Sequence, residues 1–298
     1  MAGREQITAV ENGLSILAPA KLNLSLLVAG RRADGFHEVE TVMAKLNFFD
    51  EVLMQQGRKD GIEVISTGPC RAPQGKENLI YRACELLLKT CYCQADLKIT
   101  LTKNVPAGAG LGSASSDAAA TLIGVNRFLK LKVQSKKLNE LAVQLGSDVA
   151  FFLNGPLAFC TGKGEKIEKL NKIFNFLYLL ILPKVSVSTK KVYANYRTNR
   201  PLYERLSAGI KGLLAENRID LVSEMCANML ETTCFTLYGE LAELKNKIES
   251  SGCTPLCLSG SGSAMFCITD NSQTAAKFQS KLEKEIGCKT ILVGNNRW

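Results

Sequence analysis

The stretch VPAGAGLGSASSDAAATL, residues 105–122, sets three glycines and four Ser or Asp residues at the head of an alanine-rich run. Backbone NH groups at a helix N-terminus have no partner inside the helix and point outward, and the helix dipole adds positive potential there. A phosphate chain fits such a place if the approaching backbone carries no bulky Cβ. Gly108, Gly110 and Gly112, with Ala107, Ala109 and Ala114, meet that condition. Residues 106–116 are therefore predicted to cradle an anion, with Pro106, Leu111, Ser113, Ser115 and Ser116 completing the backbone. A ligand-free turn requires fewer small residues than this.

Working outward, residues 96–103 (DLKITLTK) alternate apolar and polar, which predicts a half-buried strand leading into the loop. From about Ser115 the run has the composition of a helix with Ser and Asp at its start. A second helix is predicted over 136–145, stopped by Gly146. Strands follow at 157–161, 174–182 and 185–187, then mostly helix over 201–250. Residues 256–269 predict two strands joined by a Gly-Ser-Gly turn. A helix over 273–286 and a strand at 290–293 close the chain. Helices and short strands without regular βαβ alternation point to α+β.

Three other nucleotide-binding patterns compete for the glycine loop. A Walker loop needs Gly-Lys-Ser/Thr, but Gly112 is followed by Ser113 and Ala114. A dinucleotide fingerprint counted from Gly108 meets Ser113 where its last glycine belongs. The lysine strand and His-Arg-Asp loop of protein kinases are missing.

Composition is that of an ordinary globular chain, 46% hydrophobic and 22% charged over 298 residues. The longest mostly apolar run, residues 173–182, is too short to span a bilayer. No targeting segment is legible at the N-terminus, so a cytoplasmic protein is expected. Eleven cysteines, an odd number in a chain long enough to fold unstapled, are expected as free thiols. The formal charge of +9 favours acidic partners, yet the basic residues are scattered, as on a solvated face, without an aromatic RNA-binding signature. Neither nucleic acid nor membrane is expected as a partner.

PAGAGLGSASSDAAA, residues 106–120, resembles the phosphate-loop motif of the GHMP kinase superfamily. Three more stretches support the resemblance: APAKLNLSLLVAGRRADGFHEVETVM (18–43), GSDVAFFLNGPLAFCTGKGEKI (146–167) and LSGSGSAMF (258–266). They are similar to one branch, whose acceptor is a cytidylyl diphosphate in the non-mevalonate route to isoprenoids. Departures are modest: Phe36 stands for a family tyrosine, Ser113 and Ala114 for loop glycines, and Ala150 for a proline.

The resemblance implies a two-domain fold, an N-terminal α/β ATP-binding domain (residues 1–165) and a C-terminal ferredoxin-like α/β sandwich (166–298), with the site between them. It implies ATP as co-substrate and Mg²⁺, for which no protein ligand is assigned, and phosphorylation of a tertiary 2-hydroxyl. Lys21, in an apolar run, otherwise reads as a snorkelling lysine, and Asp148 as a turn or capping residue. The family matches make Asp148 the general base and Lys21 its charged partner. Asn23 shares the strand face of Lys21. Phe36 and His37 suit a cytosine, one stacking and one hydrogen bonding. Tyr193 matches a second stacking aromatic and Thr189 a hydroxyl contact. Asn78 and Lys103 are expected toward adenine, and Gly260, Ser261 and Gly262 at the floor. The chain is expected to act as a monomer or weak homodimer. Open alternatives are a sister kinase for homoserine, mevalonate or phosphomevalonate, and a basic RNA-binding module.

Overall fold

The computed structural model describes residues 5–58, 61–171, 175–269 and 271–298. The first unit is a seven-stranded sheet backed by helices. Its strands are β1 (Ile7–Val10), β2 (Gly13–Arg31), β3 (His37–Gln56), β4 (Ile62–Thr67), β5 (Leu97–Thr102), β6 (Leu157–Thr161) and β7 (Lys166–Lys169). The order runs β1-β2-β3-β5-β4, and the first half of β3 also pairs β6, which pairs β7. Helices α1 (Leu79–Thr90), α2 (Ser113–Phe128), α3 (Ser135–Leu145) and the single turn α4 (Val149–Phe152) lie with it.

The second unit is a four-stranded antiparallel sheet, β11-β8-β10-β9, made of β8 (Leu177–Leu182), β9 (Cys257–Leu258), β10 (Met265–Thr269) and β11 (Lys289–Gly294). It carries α5 (Thr189–Asn195), α6 (Arg200–Ala215), α7 (Ile219–Glu224), α8 (Glu231–Leu237), α9 (Gly239–Ser250) and α10 (Ser272–Lys281).

Strand β2 is the seam between the units. Its early residues Leu14, Ile16 and Ala18 pack in the cluster that holds α1 and α2. A register shift lies between Pro19 and Lys21, where two steps of β2 oppose four of β3, and there the strand changes the cluster its side chains enter. Beyond it Ala20, Leu22 and Leu24 join Tyr178, Leu180 and Phe266 of the second sheet. Lys21 and Asn23 alternate with them and so take the opposite face. A charged and a polar side chain thus stay in a strand that is buried along nearly its whole length.

Several sequence expectations are adjusted. Helix α2 starts at Ser113, because Gly112 before it is left-handed (φ 68°) and ends the loop there. Residues 185–187 form no strand; Val187 is buried but the segment is irregular. The last helix ends at Lys281 and continues as a wider π turn over Leu282–Ile286. The strand expected over 174–182 begins at Leu177, and residue 174 lies outside the described residues. The cysteines are not all free: Cys226, after α7, is disulfide-bonded to Cys257 of β9, and the other nine are thiols. The pairing joins positions 31 residues apart that only the folded chain brings together.

Candidate active site

The glycine loop between β5 and α2 folds over the second unit and the buried face of β2. Gly110 has φ 77°, and a Cβ on it would lie 2.1 Å from the Ser259 carbonyl oxygen. A Cβ on Gly112 would lie 2.8 Å from Cγ of Lys21 and 2.9 Å from the Phe152 ring. These two glycines let three segments meet at one point: the loop, β2, and the turn after β9. The Ala264 amide donates to the Ala109 carbonyl (3.0 Å), and the Lys21 amide to the Leu111 carbonyl (2.9 Å).

At that point opens a cleft of about 270 Å³. Its wall includes Gly108, Gly110, Gly112, Ser113, Ala114 and Ser115 from the loop and helix start, Lys21 and Asn23 from β2, and Asp148 at the head of α4. Thr189 and Tyr193 from α5, and Gly260 and Ser261 from the turn after β9, close the other side. A larger hollow of about 440 Å³ near α10 and β10 lies elsewhere and has neither glycine loop nor lysine on its wall.

Lys21 is the hub. Its ammonium donates to the Gly110 carbonyl (2.9 Å) and to Oδ1 of Asn23, and lies 3.7 Å from Oδ2 of Asp148. Burial pushes the Lys21 amine below its ordinary range, and the Asp148 charge opposes that. Asp148 remains one third exposed, so it can meet a ligand. Asn23 donates to Thr41 Oγ1 (2.8 Å), and the Ser259 hydroxyl donates to Gly110 O (2.9 Å) while accepting from the Asn23 amide (3.3 Å). The Thr189 and Ser261 hydroxyls pair at 2.7 Å.

A stacking wall flanks the cleft. The rings of His37 and Tyr193 lie 5.2 Å apart, and Tyr196 meets His37 edge-on at 6.1 Å. Burial and the neighbouring Arg31 push His37 down, which keeps a donor and an acceptor nitrogen on the imidazole. Burial pushes the Tyr193 phenol up, and Asp148 adds to it. Phe36, 55% exposed, lies under the Lys163 ammonium at 4.5 Å from the ring centre.

Two expected nucleotide contacts are placed otherwise. Asn78 is buried as the N-cap of α1, accepting from the Ile80 amide (2.9 Å). Lys103 is buried in an ion cluster with Asp50 and Asp117. Neither is on the cleft wall, nor are Pro106, Ala107, Ala109, Leu111, Ser116 and Gly262, nor Phe36 and His37 of the flanking stacking wall.

Several residues of the site were missed, among them Lys163, Thr41 and Ser147 on the wall and Asn228 behind the floor. Lys163 carried a signal, sitting between two glycines in the third motif. Thr41 and Asn228 carried none. Asn228 donates to the carbonyls of Leu258 and Gly260 (2.8 Å each) and so fixes the floor from a neighbouring segment.

A family model described as GHMP kinases N terminal domain matches residues 78–156, and one described as GHMP kinases C terminal matches 210–287. The chain is 35% identical over 255 residues to a Bacillus cytotoxicus protein named 4-diphosphocytidyl-2-C-methyl-D-erythritol kinase, covering 85% of this chain and 87% of that one. A Bacillus cereus protein of the same name is 35% identical over 253 residues, with the same coverage. Among solved structures, a 4-(cytidine 5'-diphospho)-2C-methyl-D-erythritol kinase superposes with TM-score 0.75 at 30% identity, covering 95% of this chain and 100% of that one. A homoserine kinase from Cytophaga hutchinsonii superposes with TM-score 0.74 at 20% identity, covering 99% and 98%, a likeness of fold alone.

Proposed function

The chain belongs to the GHMP kinase family, and from that membership we propose that it moves the γ-phosphoryl group of ATP to the 2-hydroxyl of 4-diphosphocytidyl-2-C-methyl-D-erythritol, in cytoplasmic non-mevalonate isoprenoid precursor synthesis. The enzyme is a phosphotransferase with an alcohol as acceptor. One observation carries the reading: the Lys21 ammonium touches the glycine loop through Gly110 and stands beside Asp148. The donor cradle and the only carboxylate among the described residues of the cleft wall thus share one cation.

Phosphoryl transfer is mostly positioning and charge stabilisation. The amides of residues 108–116 hold the phosphate tail at the start of α2. Asp148 takes the proton of the acceptor hydroxyl, and Lys21, beside it, answers the charge that develops on the transferred group. The acceptor's cytosine stacks between Phe36 and Tyr193, with His37 on its edge. Asn23 and Thr189 bind the acceptor beside it.

Among the described residues no group of three or more His, Cys, Asp or Glu side chains could hold a metal. The oxygen-bearing residues of the wall fit a magnesium ion held chiefly by phosphates and water, with Ser115 and Ser147 among the side chains that would hold it. When bound, the ion neutralises phosphate charge.

The test is ADP release by the wild type and Asp148→Asn with the cytidylyl acceptor, homoserine, mevalonate and phosphomevalonate. Turnover is expected with the cytidylyl acceptor alone, falling about 10²-fold or more in the variant. Turnover with a small acceptor instead, or a variant within about tenfold of wild type, contradicts the reading.

A further inference from the structure

Beneath the glycine loop lies a buried charge cluster that the transfer step does not touch. Asp50, on β3, has no exposed surface. Its Oδ1 accepts the backbone amides of Asn104 (2.6 Å) and Val105 (2.8 Å), and its Oδ2 accepts from the Lys103 ammonium and the Ser113 hydroxyl (3.2 Å). These partners bracket the loop. Asn104 and Val105 lead into it, and Ser113 is the first residue of α2 beyond it. Ser113 also accepts from Lys103 and reaches the Val105 carbonyl (3.2 Å).

Lys103 has a second carboxylate, Asp117 Oδ2 at 2.6 Å, while Asp117 Oδ1 is buried with no hydrogen-bond partner. One ammonium therefore serves two carboxylates in a dry site, where both ionise only at high cost. Burial pushes Asp117 up to about 8, against the pull of Lys103 and with the help of Asp50. Below that pH Asp117 is protonated, and above it Asp117 adds a negative charge at the foot of the anion cradle.

The charges acting on Asp117 are Lys103 at the end of β5 and Asp50 on β3. On the other elements packed against α2, the α1, α3 and α4 residues in the shared core are apolar or cysteine, and the Lys21 ammonium of β2 is turned to Gly110, Asn23 and Asp148.

We propose that Asp50, Lys103 and Asp117 form the positioning device of the phosphate cradle, clamping both ends of the loop, and that the charge of this cluster sets the pH range in which the loop accepts a nucleotide. The proposal rests on the nucleotide reading of the loop. Lys103 then acts on the nucleotide through the loop backbone rather than by touching adenine.

The test is calorimetric binding of MgADP to the full chain at pH 7 and pH 9, for wild type, Asp50→Asn and Asp117→Asn, with the KM of the acceptor measured in parallel. Wild-type affinity is expected to fall about fivefold or more between the two pH values, since a unit charge a few residues from the phosphates is only partly screened. Asp117→Asn, a neutral isostere of the protonated acid, is expected to lose that pH dependence. Asp50→Asn is expected to weaken MgADP about tenfold at both pH values, with the acceptor KM unmoved. The same alkaline loss in Asp117→Asn, or wild-type affinity in a folded Asp50→Asn, overturns the proposal. Should Asp50→Asn fail to fold, the Asp117→Asn comparison decides alone. A wild type that binds no MgADP overturns the nucleotide reading itself, and the cluster proposal with it.

Discussion

Gly110 shows how one residue serves both conformation and contact. Its left-handed backbone and the 2.1 Å gap to Ser259 O leave no room for a methyl group. Gly110→Ala is expected to cost about 2 kcal/mol or more in urea unfolding, from the backbone penalty plus the collision. MgADP binding should weaken with it; a variant with wild-type stability contradicts this packing. The three loop glycines were legible because an anion cradle needs small residues in sequence. The reason for Gly110 was not, since its obstacle comes from a residue 149 positions away. Lys103 and Asn78 illustrate the converse. Both side chains are polar, and Lys103 adjoins the loop in sequence, but it is drawn into an ion cluster while Asn78 caps a helix. Nothing local marks Asp50 as the partner that draws Lys103 inward.

The turn α4 is bracketed by two lysines that face each other across β2 and β3. Lys21 and Lys45 are register partners. Lys21 meets Asp148 at the head of α4, and the buried Lys45 donates to the carbonyls of Phe152 (3.0 Å) and Asn154 (2.7 Å) at its tail. A cation at a helix C-terminus suits the dipole, yet among the described residues no carboxylate pairs with Lys45, and burial pushes its amine down to about 7. The unfolded lysine titrates near 10.4. Between about 7 and 10.4 the unfolded chain therefore binds more protons than the folded one, and Lys45 makes stability rise with pH. Lys45→Met is expected to remove that rise, read as urea midpoints between pH 8.5 and 10, above the Asp117 step. Turnover should fall about tenfold as Asp148 loses its anchor. A pH slope equal to that of wild type counts against the assignment. Alternation gave β5 and helix signals gave α2 and α3 from sequence alone, while β2 was legible only as an apolar strand-like run. The register shift at Ala20 was invisible, because apolar residues run through both faces of the strand and hide the change of cluster.

At the scale of the whole molecule, two sheets share one buried surface along β2, and the cleft forms where the loop, β2, α4, α5 and the turn after β9 converge. Four motifs spread over residues 18–266 announced that convergence, since each is a short local pattern of chemistry. The disulfide between Cys226 and Cys257 and the grip of Asn228 on the floor were not announced, because they join segments whose nearness only the fold creates. The central claim is a distance across that cleft, from nucleotide phosphates on the loop to an alcohol beside Asp148. A crystal structure with a non-hydrolysable ATP analogue and the cytidylyl acceptor measures it directly. The expected result has phosphates on the amides of residues 108–116 and the acceptor oxygen about 3 Å from the Asp148 carboxylate. Phosphates bound away from the loop, or an acceptor oxygen well beyond the ~3 Å reach of that carboxylate, would contradict it.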